Sequence, residues 1–322
     1  MEEQKLWLYV AQKLKEEQGV ALMWVPESIG SSPGRQGHQM AVASDATMHG
    51  TIGGGVMEYQ QVEACKKLLV KGQKECLRKR LIHNPSDKSK WSGLSCSGEQ
   101  TILIFFLNQR HLNLVQNIII ACQKEASYYL VLRAENTIHL EQVPIDVPRF
   151  DYQLKTEDTW HYQYIVGFQE TVYLVGAGHV GLALCQQLFL LDFKIVLIDN
   201  RAALPTGKYD QFISKKIITS YKKIATFVPS TQYDYIIIMS FSSALDTLIL
   251  SQLIHKPACY IGMMASQVKV DRIRATLLDK GITKEDFDRV HTPIGLPIKC
   301  KTPAEIAVSV AAQIIAIRNI DG

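Results

Sequence analysis

The stretch Thr171–Arg201, TVYLVGAGHVGLALCQQLFLLDFKIVLIDNR, constrains the fold of this chain more than any other. It reads as strand, glycine turn, helix, strand. Val172–Val175 is a short apolar run rich in β-branched residues. Gly176, Gly178 and Gly181 follow in G-x-G-x-x-G spacing, with His179 between them. Leu182, Ala183, Cys185, Leu188 and Phe189 then give a helical apolar face. Lys194–Ile198 is a second buried strand, closing on Asp199. In this order the parts form a dinucleotide-binding unit, with an acid about 20 residues past the glycines. Gly176 permits a tight turn, Gly178 lets backbone approach a pyrophosphate, and Gly181 lets helix and strand pack closely. The helix N-terminus offers free N–H groups and a positive dipole end to a phosphate. Asp199 can accept hydrogen bonds from ribose hydroxyls or hold only Arg201. Glycines that serve packing alone are the other reading of the same motif.

The 322 residues suggest about two domains, and a hydrophobic content of 47% supports sizeable cores. A formal charge of +4 without a dense Lys/Arg stripe argues against a nucleic-acid partner. The acidic, amphipathic start MEEQKLWLYV is no signal peptide, and no apolar run reaches the roughly 18 residues a membrane span needs. Seven cysteines, widely spaced and without C-x-x-C, exclude a disulfide framework, a zinc ribbon and an iron–sulfur protein. They fit a reducing, cytoplasmic setting.

Along the chain, residues 1–141 mix helices and strands, with a hairpin at the end, which predicts a smaller N-terminal α+β domain. Leu6, Val10 and Leu14 mark a first helix that Gly19 ends; Val20–Val25, Gln39–Ala43 and Thr101–Leu107 read as strands. Residues 142–170 are polar and aromatic, carry Pro144 and Pro148, and read as an interdomain linker. From 171 to 322 strands alternate with helices, including the buried run Tyr235–Met239. This predicts a doubly wound parallel sheet of Rossmann type. The closing helix starts at Pro303, with Thr302 as its cap.

Four places outside the fingerprint could carry chemistry. Gly30–Glu58 holds two glycine-rich turns, with Ser31, Ser32, Arg35 and His38 in the first and Gly53, Gly54, Gly55 and Glu58 in the second. Three glycines ahead of a helix are either a second anion cradle or tight turns of a small domain. Cys96, between small residues in Ser95–Gly98, is either an exposed thiol able to ligate a soft metal or carry sulfur, or a small apolar filler. Gly262 and Ser266 lie just past the strand ending at Ile261, where open α/β sheets bind ligands, although Ser266 also suits a helix cap. Ser266 and Lys269 match S-x-x-K without the rest of an acyl-transfer context. The loop His291–Pro297, with Gly295, is set to cover the same sheet edge; His291 is a ligand contact or a solvent-facing residue.

Together these segments resemble the XdhC/CoxI family, accessory factors for xanthine dehydrogenase and related molybdenum hydroxylases. The resemblance covers nearly the whole chain. It rests on Gly30-Ser31-Ser32-Pro33-Gly34-Arg35 with Gly50–Glu58, then Val175–Gly181, Asp199-Asn200-Arg201, Tyr260-Ile261-Gly262, Pro293–Leu296 and Thr302–Ala307. Departures are Val56 where a cysteine often follows the triple glycine, Cys96-Ser97-Gly98 for Cys-Gly-Gly, Ser240-Phe241 for Thr-His with Asp246 retained, Ala265-Ser266 for Gly-Ser ahead of the lysine, and Ile298-Lys299 for Ile-Gly. The resemblance implies a non-catalytic factor that binds molybdenum cofactor (molybdopterin) as cargo, protects it during sulfuration and hands it to a xanthine dehydrogenase-type molybdenum hydroxylase. It implies a homodimer, with a cysteine desulfurase as a further partner. The fingerprint by itself favours an NAD(P)-dependent oxidoreductase, Asp199 pointing to NAD, or a nucleotide-binding regulatory module. Hydride transfer needs a placed acid–base group, and Tyr9 and Lys13, the one Tyr-x-x-x-Lys pair, precede the fingerprint in the first helix.

Overall fold

The structure is a computed structural model that describes residues 2–82, 98–123, 127–144, 147–204, 207–229 and 231–319. The chain divides into two compact units, residues 1–168 and 169–322.

The N-terminal unit opens with α1 (Glu2–Lys15), whose Leu6, Val10 and Leu14 are buried at the spacing the sequence set. The helix stops before Gly19, because Glu17 already takes the left-handed conformation. Then come β1 (Val20–Ile29), β2 (Gln39–Ala43), β3 (Met48–Gly50), α2 (Gly55–Val70), β4 (Leu77–Ile82) and β5 (Glu99–Leu107). These strands form one antiparallel sheet in the order β3-β2-β1-β5-β4. Val20–Val25 is buried without interruption because both faces of β1 are covered. Leu22 and Trp24 join the core under α1, and Ala21 and Met23 join the core under α2. Pro26 falls where the β1–β5 register shifts, a place that tolerates its missing N–H.

After α3 (Leu112–Ala121) the chain makes β6 (Tyr128–Arg133), β7 (Thr137–Gln142), β8 (Phe150–Thr156) and β9 (Thr159–Ile165). They form a second antiparallel sheet ordered β7-β6-β9-β8. The expected linker at 142–170 is therefore corrected: residues 150–165 are a hairpin integral to this unit. Trp160, Tyr162 and Tyr164 alternate with more exposed neighbours, the period of a half-buried strand. Their rings enter the core, Trp160 edge-on to Phe105 with centroids 6.1 Å apart. The hairpin also makes the N-terminal unit the longer of the two, not the smaller.

The C-terminal unit contains β10 (Thr171–Val175), α4 (His179–Leu190), β11 (Lys194–Asp199), β12 (Lys215–Ile218), β13 (Tyr235–Ile238), α5 (Ser243–Leu253), β14 (Tyr260–Met263), α6 (Gln267–Leu278), α7 (Lys284–Asp288), β15 (Val290–His291) and α8 (Pro303–Arg318). All sheet pairings are parallel, in the order β12-β11-β10-β13-β14-β15. This is the doubly wound Rossmann order, with the direction of winding reversing between β10 and β13. Helices α4 and α8 cover one face and α5, α6 and α7 the other. The N-termini of α4, α5 and α6 thus all lie at the carboxyl edge of the sheet. Among the described residues no helix is long and apolar enough to cross a membrane.

Candidate functional site

In the N-terminal unit the two glycine-rich turns are tied into one body by Gln100, whose side chain is buried. Its Oε1 accepts from Ser32 Oγ at 2.7 Å and Gly34 N at 3.1 Å, while its Nε2 donates to Ile52 O at 3.1 Å. Ser31 is exposed beside Gly98, where a Cβ would come within 2.4 Å of the Ser31 carbonyl carbon. A Cβ on Gly53, which has φ +131°, would meet Gly34 N at 2.5 Å. The turns therefore need their glycines for close approach.

The triple-glycine turn carries its own anion. Glu58 Oε2 accepts from Thr51 Oγ1 at 2.6 Å, Ile52 N at 2.9 Å and Gly54 N at 3.0 Å. Burial pushes the Glu58 carboxyl up, and these hydrogen bonds outweigh it and hold it below the usual range. Gly54 and Gly55, at φ +78° and +68°, shape the turn that delivers these amides. The expected phosphate cradle is thus occupied by the carboxylate at the head of α2. His38 is half-buried and its imidazole pKa is held down, first by burial and then by the Arg35 charge, with Glu58 opposing. Arg35, His38 and Glu58 accordingly share one neighbourhood.

Cys96 lies outside the described residues. Burial pushes the thiol of Cys65 up to about 11 and those of Cys122 and Cys185 up to about 12. These three are core fillers.

In the C-terminal unit the glycine turn has its full geometry. Gly176 takes φ +112°, and a Cβ there would sit 2.3 Å from Met239 O. A Cβ on Gly181 would lie 2.5 Å from Gly176 O, so this glycine sets the helix–turn packing. Gly178 is different: a Cβ there would meet nothing within 4 Å. It is exposed next to the exposed His179, at the N-terminus of α4.

Asp199 is buried and fully engaged. Its Oδ2 accepts from Ala177 N at 2.7 Å and Arg201 Nη2 at 2.7 Å. Its Oδ1 accepts from Arg201 N and Arg201 Nε, each at 2.9 Å. A carboxylate has about four acceptor positions, and all are taken within the chain. Burial alone would raise the Asp199 pKa; the hydrogen bonds from Arg201 and Ala177 prevail and hold it below the usual carboxylate range. The Arg201 side chain as a whole is 43% exposed.

The depressed Asp199 value sets a pH dependence. A group whose folded pKa lies below its unfolded one contributes stability that is complete above the unfolded value, about 3.9. That contribution disappears as pH falls through the folded value. Thermal melts between pH 7 and pH 3 are expected to show a steeper acid loss in the native chain than in Asp199→Asn. Parallel curves would mean that Asp199 carries no such linkage.

Gly262 and Gly295 have packing tasks. A Cβ on Gly262 would lie 2.6 Å from both Ile294 Cδ1 and the Tyr260 ring. Gly295, at φ +93°, donates its N–H to Gln313 Oε1 at 2.9 Å and faces Ser309 Oγ. Gln313 Oε1 also accepts from the Tyr260 hydroxyl at 2.6 Å, so the 291–296 loop is pinned to α8. His291 is part-buried and stacks on Tyr260, with centroids 4.7 Å apart and planes 11° from parallel. Burial lowers its pKa. Ser266 is the exposed first residue before α6, and its side chain makes no capping hydrogen bond.

Asp246, Ser240 and Lys269, which the sequence names without pairing, come together past the ends of β13 and β14. Asp246, in the first turn of α5, is 0% exposed. It accepts from Ser240 N at 3.2 Å, from Ser240 Oγ, and from Lys269 Nζ of α6. Tyr221 is buried between this group and Asp199: burial and then the Asp199 charge push its hydroxyl up to about 12, with Asp246 adding to the effect. The signal was present as one acid and one lysine, each in the first turn of a helix that follows a buried strand.

Comparison with known proteins agrees with this architecture. The family model for the XdhC Rossmann domain matches residues 172–314, and that for the XdhC and CoxI family matches residues 14–79. The uncharacterized protein YqeB of Escherichia coli (strain K12) is 25% identical over 311 residues, covering 96% of this chain and 46% of that protein. This chain therefore spans about half the length of that relative. A Bacillus subtilis (strain 168) protein, described as a probable xanthine dehydrogenase component, is 24% identical, with 95% of each chain covered. A crystal structure described as a xanthine dehydrogenase from Bacillus halodurans superposes with a TM-score of 0.70 at 19% identity, covering 97% of this chain and 95% of that one; the likeness is one of fold. With its N-terminal turns and its Rossmann unit both matched, and in the expected order, the chain belongs to the XdhC/CoxI family.

Proposed function

We propose that this chain is an accessory factor in the maturation of xanthine dehydrogenase-type molybdenum hydroxylases. It holds molybdenum cofactor as cargo, shields it while the metal is sulfurated, and passes it to the apo-enzyme. A cysteine desulfurase as sulfur source, a homodimeric state and a cytoplasmic setting belong to the same reading. Family membership supports the client class. The observation that carries the reading over a nicotinamide-dependent oxidoreductase is the state of Asp199. The acid that would hold ribose hydroxyls already accepts from Ala177 and Arg201 at every position. Gly178 remains open to a phosphate, and the partly exposed Arg201 side chain suits one. A phosphorylated pterin needs such anchors without needing the ribose acid.

A nucleotide-binding regulatory module is the second reading, favoured by the intact glycine turn. Anaerobic calorimetry of the purified protein with molybdenum cofactor, NAD and NADP, each titrated separately, distinguishes the two. The expected result is micromolar affinity for the cofactor and far weaker binding of both dinucleotides. Micromolar NAD binding with no cofactor affinity would sink the maturation reading. Cys96→Ala in the same titration tests the proposed thiol contact to molybdenum. Unchanged cofactor affinity removes that contact and leaves the rest standing.

A further inference from the structure

A second polar device stands at the carboxyl edge of the parallel sheet, outside the glycine fingerprint. Asp246 is wholly buried, takes both hydrogen-bond donors of Ser240, and meets Lys269 Nζ with its other oxygen. Lys269 is 25% exposed. An ammonium has three donors, and two of those on Lys269 meet no protein acceptor among the described residues. A buried carboxylate is expensive to hold, and apolar side chains of similar size commonly replace such pairs without loss of stability. Packing therefore gives no reason for this pair.

Its position does give one. Ser240 lies two residues past β13, the strand beside β10, where the winding of the sheet reverses. A Cβ added to Gly176 would come within 3.2 Å of Ser240 N, so the device adjoins the glycine turn directly. Crevices at such reversal points are where open α/β sheets take their ligands. Phe241 follows Ser240 and Val268 precedes Lys269, apolar side chains 73% and 71% exposed. A cation and an exposed aromatic ring carried by neighbouring loops of one sheet edge match a ligand that is anionic at one end and flat and apolar at the other.

We propose that Lys269 contacts the phosphate of a phosphorylated planar heterocycle bound at this edge, with Asp246 as its positioning residue and Phe241 as the surface for the ring. The shared chemistry has two sources, a nucleotide or a phosphorylated pterin, so the proposal does not stand on the cargo reading. The full-length protein is titrated anaerobically with molybdenum cofactor and, separately, with 5′-AMP. For whichever probe binds, Lys269→Gln is expected to weaken binding by about tenfold or more. Lys269→Arg should stay within about threefold, since it keeps the charge and the link to Asp246. The difference between native chain and Lys269→Gln should shrink as salt rises, which a purely structural role would not produce. Phe241→Ala should weaken binding without changing the salt dependence. Thermal melts accompany each titration, and the neutral pair Asp246→Asn/Lys269→Met replaces Lys269→Gln if the latter unfolds. Binding of 5′-AMP alone, sensitive to Lys269, upholds the proposal and overturns the cargo reading. Cofactor binding that Lys269→Gln leaves unchanged overturns the proposal and spares the cargo reading. Binding of neither probe overturns both.

Discussion

Gly176→Ala is expected to lower the stability of the C-terminal unit by roughly 3–5 kcal/mol, while Gly178→Ala, two residues away, leaves it nearly unchanged. The two glycines look equivalent in the motif and differ in the structure. At Gly176 the backbone sits at φ +112°, outside the range that side chains permit, and the new Cβ would be driven to 2.3 Å from Met239 O. That oxygen is backbone at the end of β13 and has no rotamer to change. Strain and overlap add, and relief requires β10 and β13 to part. For a unit of this size the melting temperature should fall by about 10 °C. At Gly178 φ is −80°, ordinary for any residue, and a Cβ meets nothing. Its surface methyl should alter stability by about 0.5 kcal/mol or less. It does stand where a phosphate would approach the α4 N-terminus, so ligand affinity should drop in Gly178→Ala with the fold intact. Thermal melts paired with ligand titration read both effects. Equal destabilisation by the two substitutions would mean that the turn is not shaped as described.

Local patterns were legible in the sequence, and pairings across the fold were not. The Rossmann unit is contiguous, so β10, α4 and β11 follow from one run of residues whose spacing fixes their order. The same run could not say what Asp199 does. Its acceptors are filled by Ala177 and Arg201, and only the turn of the backbone brings the Ala177 amide to 2.7 Å. Glu58 has the same history: it reads as an acid beside a glycine cradle and folds as the anion inside it. The hairpin at 150–165 was obscured because its apolar positions are large aromatics separated by polar residues, and the prolines ahead of it resemble a linker. Asp246 and Lys269 are 23 positions apart and meet only because β13 and β14 are parallel neighbours.

That last pair yields the second large effect, Lys269→Met, expected to cost about 3–5 kcal/mol. The two partners are not symmetric. Lys269 is partly exposed, so Asp246→Ala frees an ammonium that can turn toward water; its cost comes from Ser240 N and a small void, about 1–3 kcal/mol. Asp246 is wholly buried, so Lys269→Met strands a carboxylate that has only Ser240 to meet. The residue that looks peripheral is therefore the more damaging one to remove. Two controls separate charge from packing. Asp246→Asn added to Lys269→Met should recover most of the loss, because the amide can still accept from Ser240 and carries no charge. In a double-mutant cycle the two changes should be strongly non-additive, as neighbours in one network are. The neighbouring charges at this edge, Asp199 and Arg201 with Tyr221 between, are the same in all four proteins of the cycle and cancel from the comparison. Chemical denaturation at neutral pH supplies all the values. A Lys269→Met deficit smaller than that of Asp246→Ala, or one that Asp246→Asn fails to recover, would mean that the buried carboxylate does not depend on Lys269 for its charge.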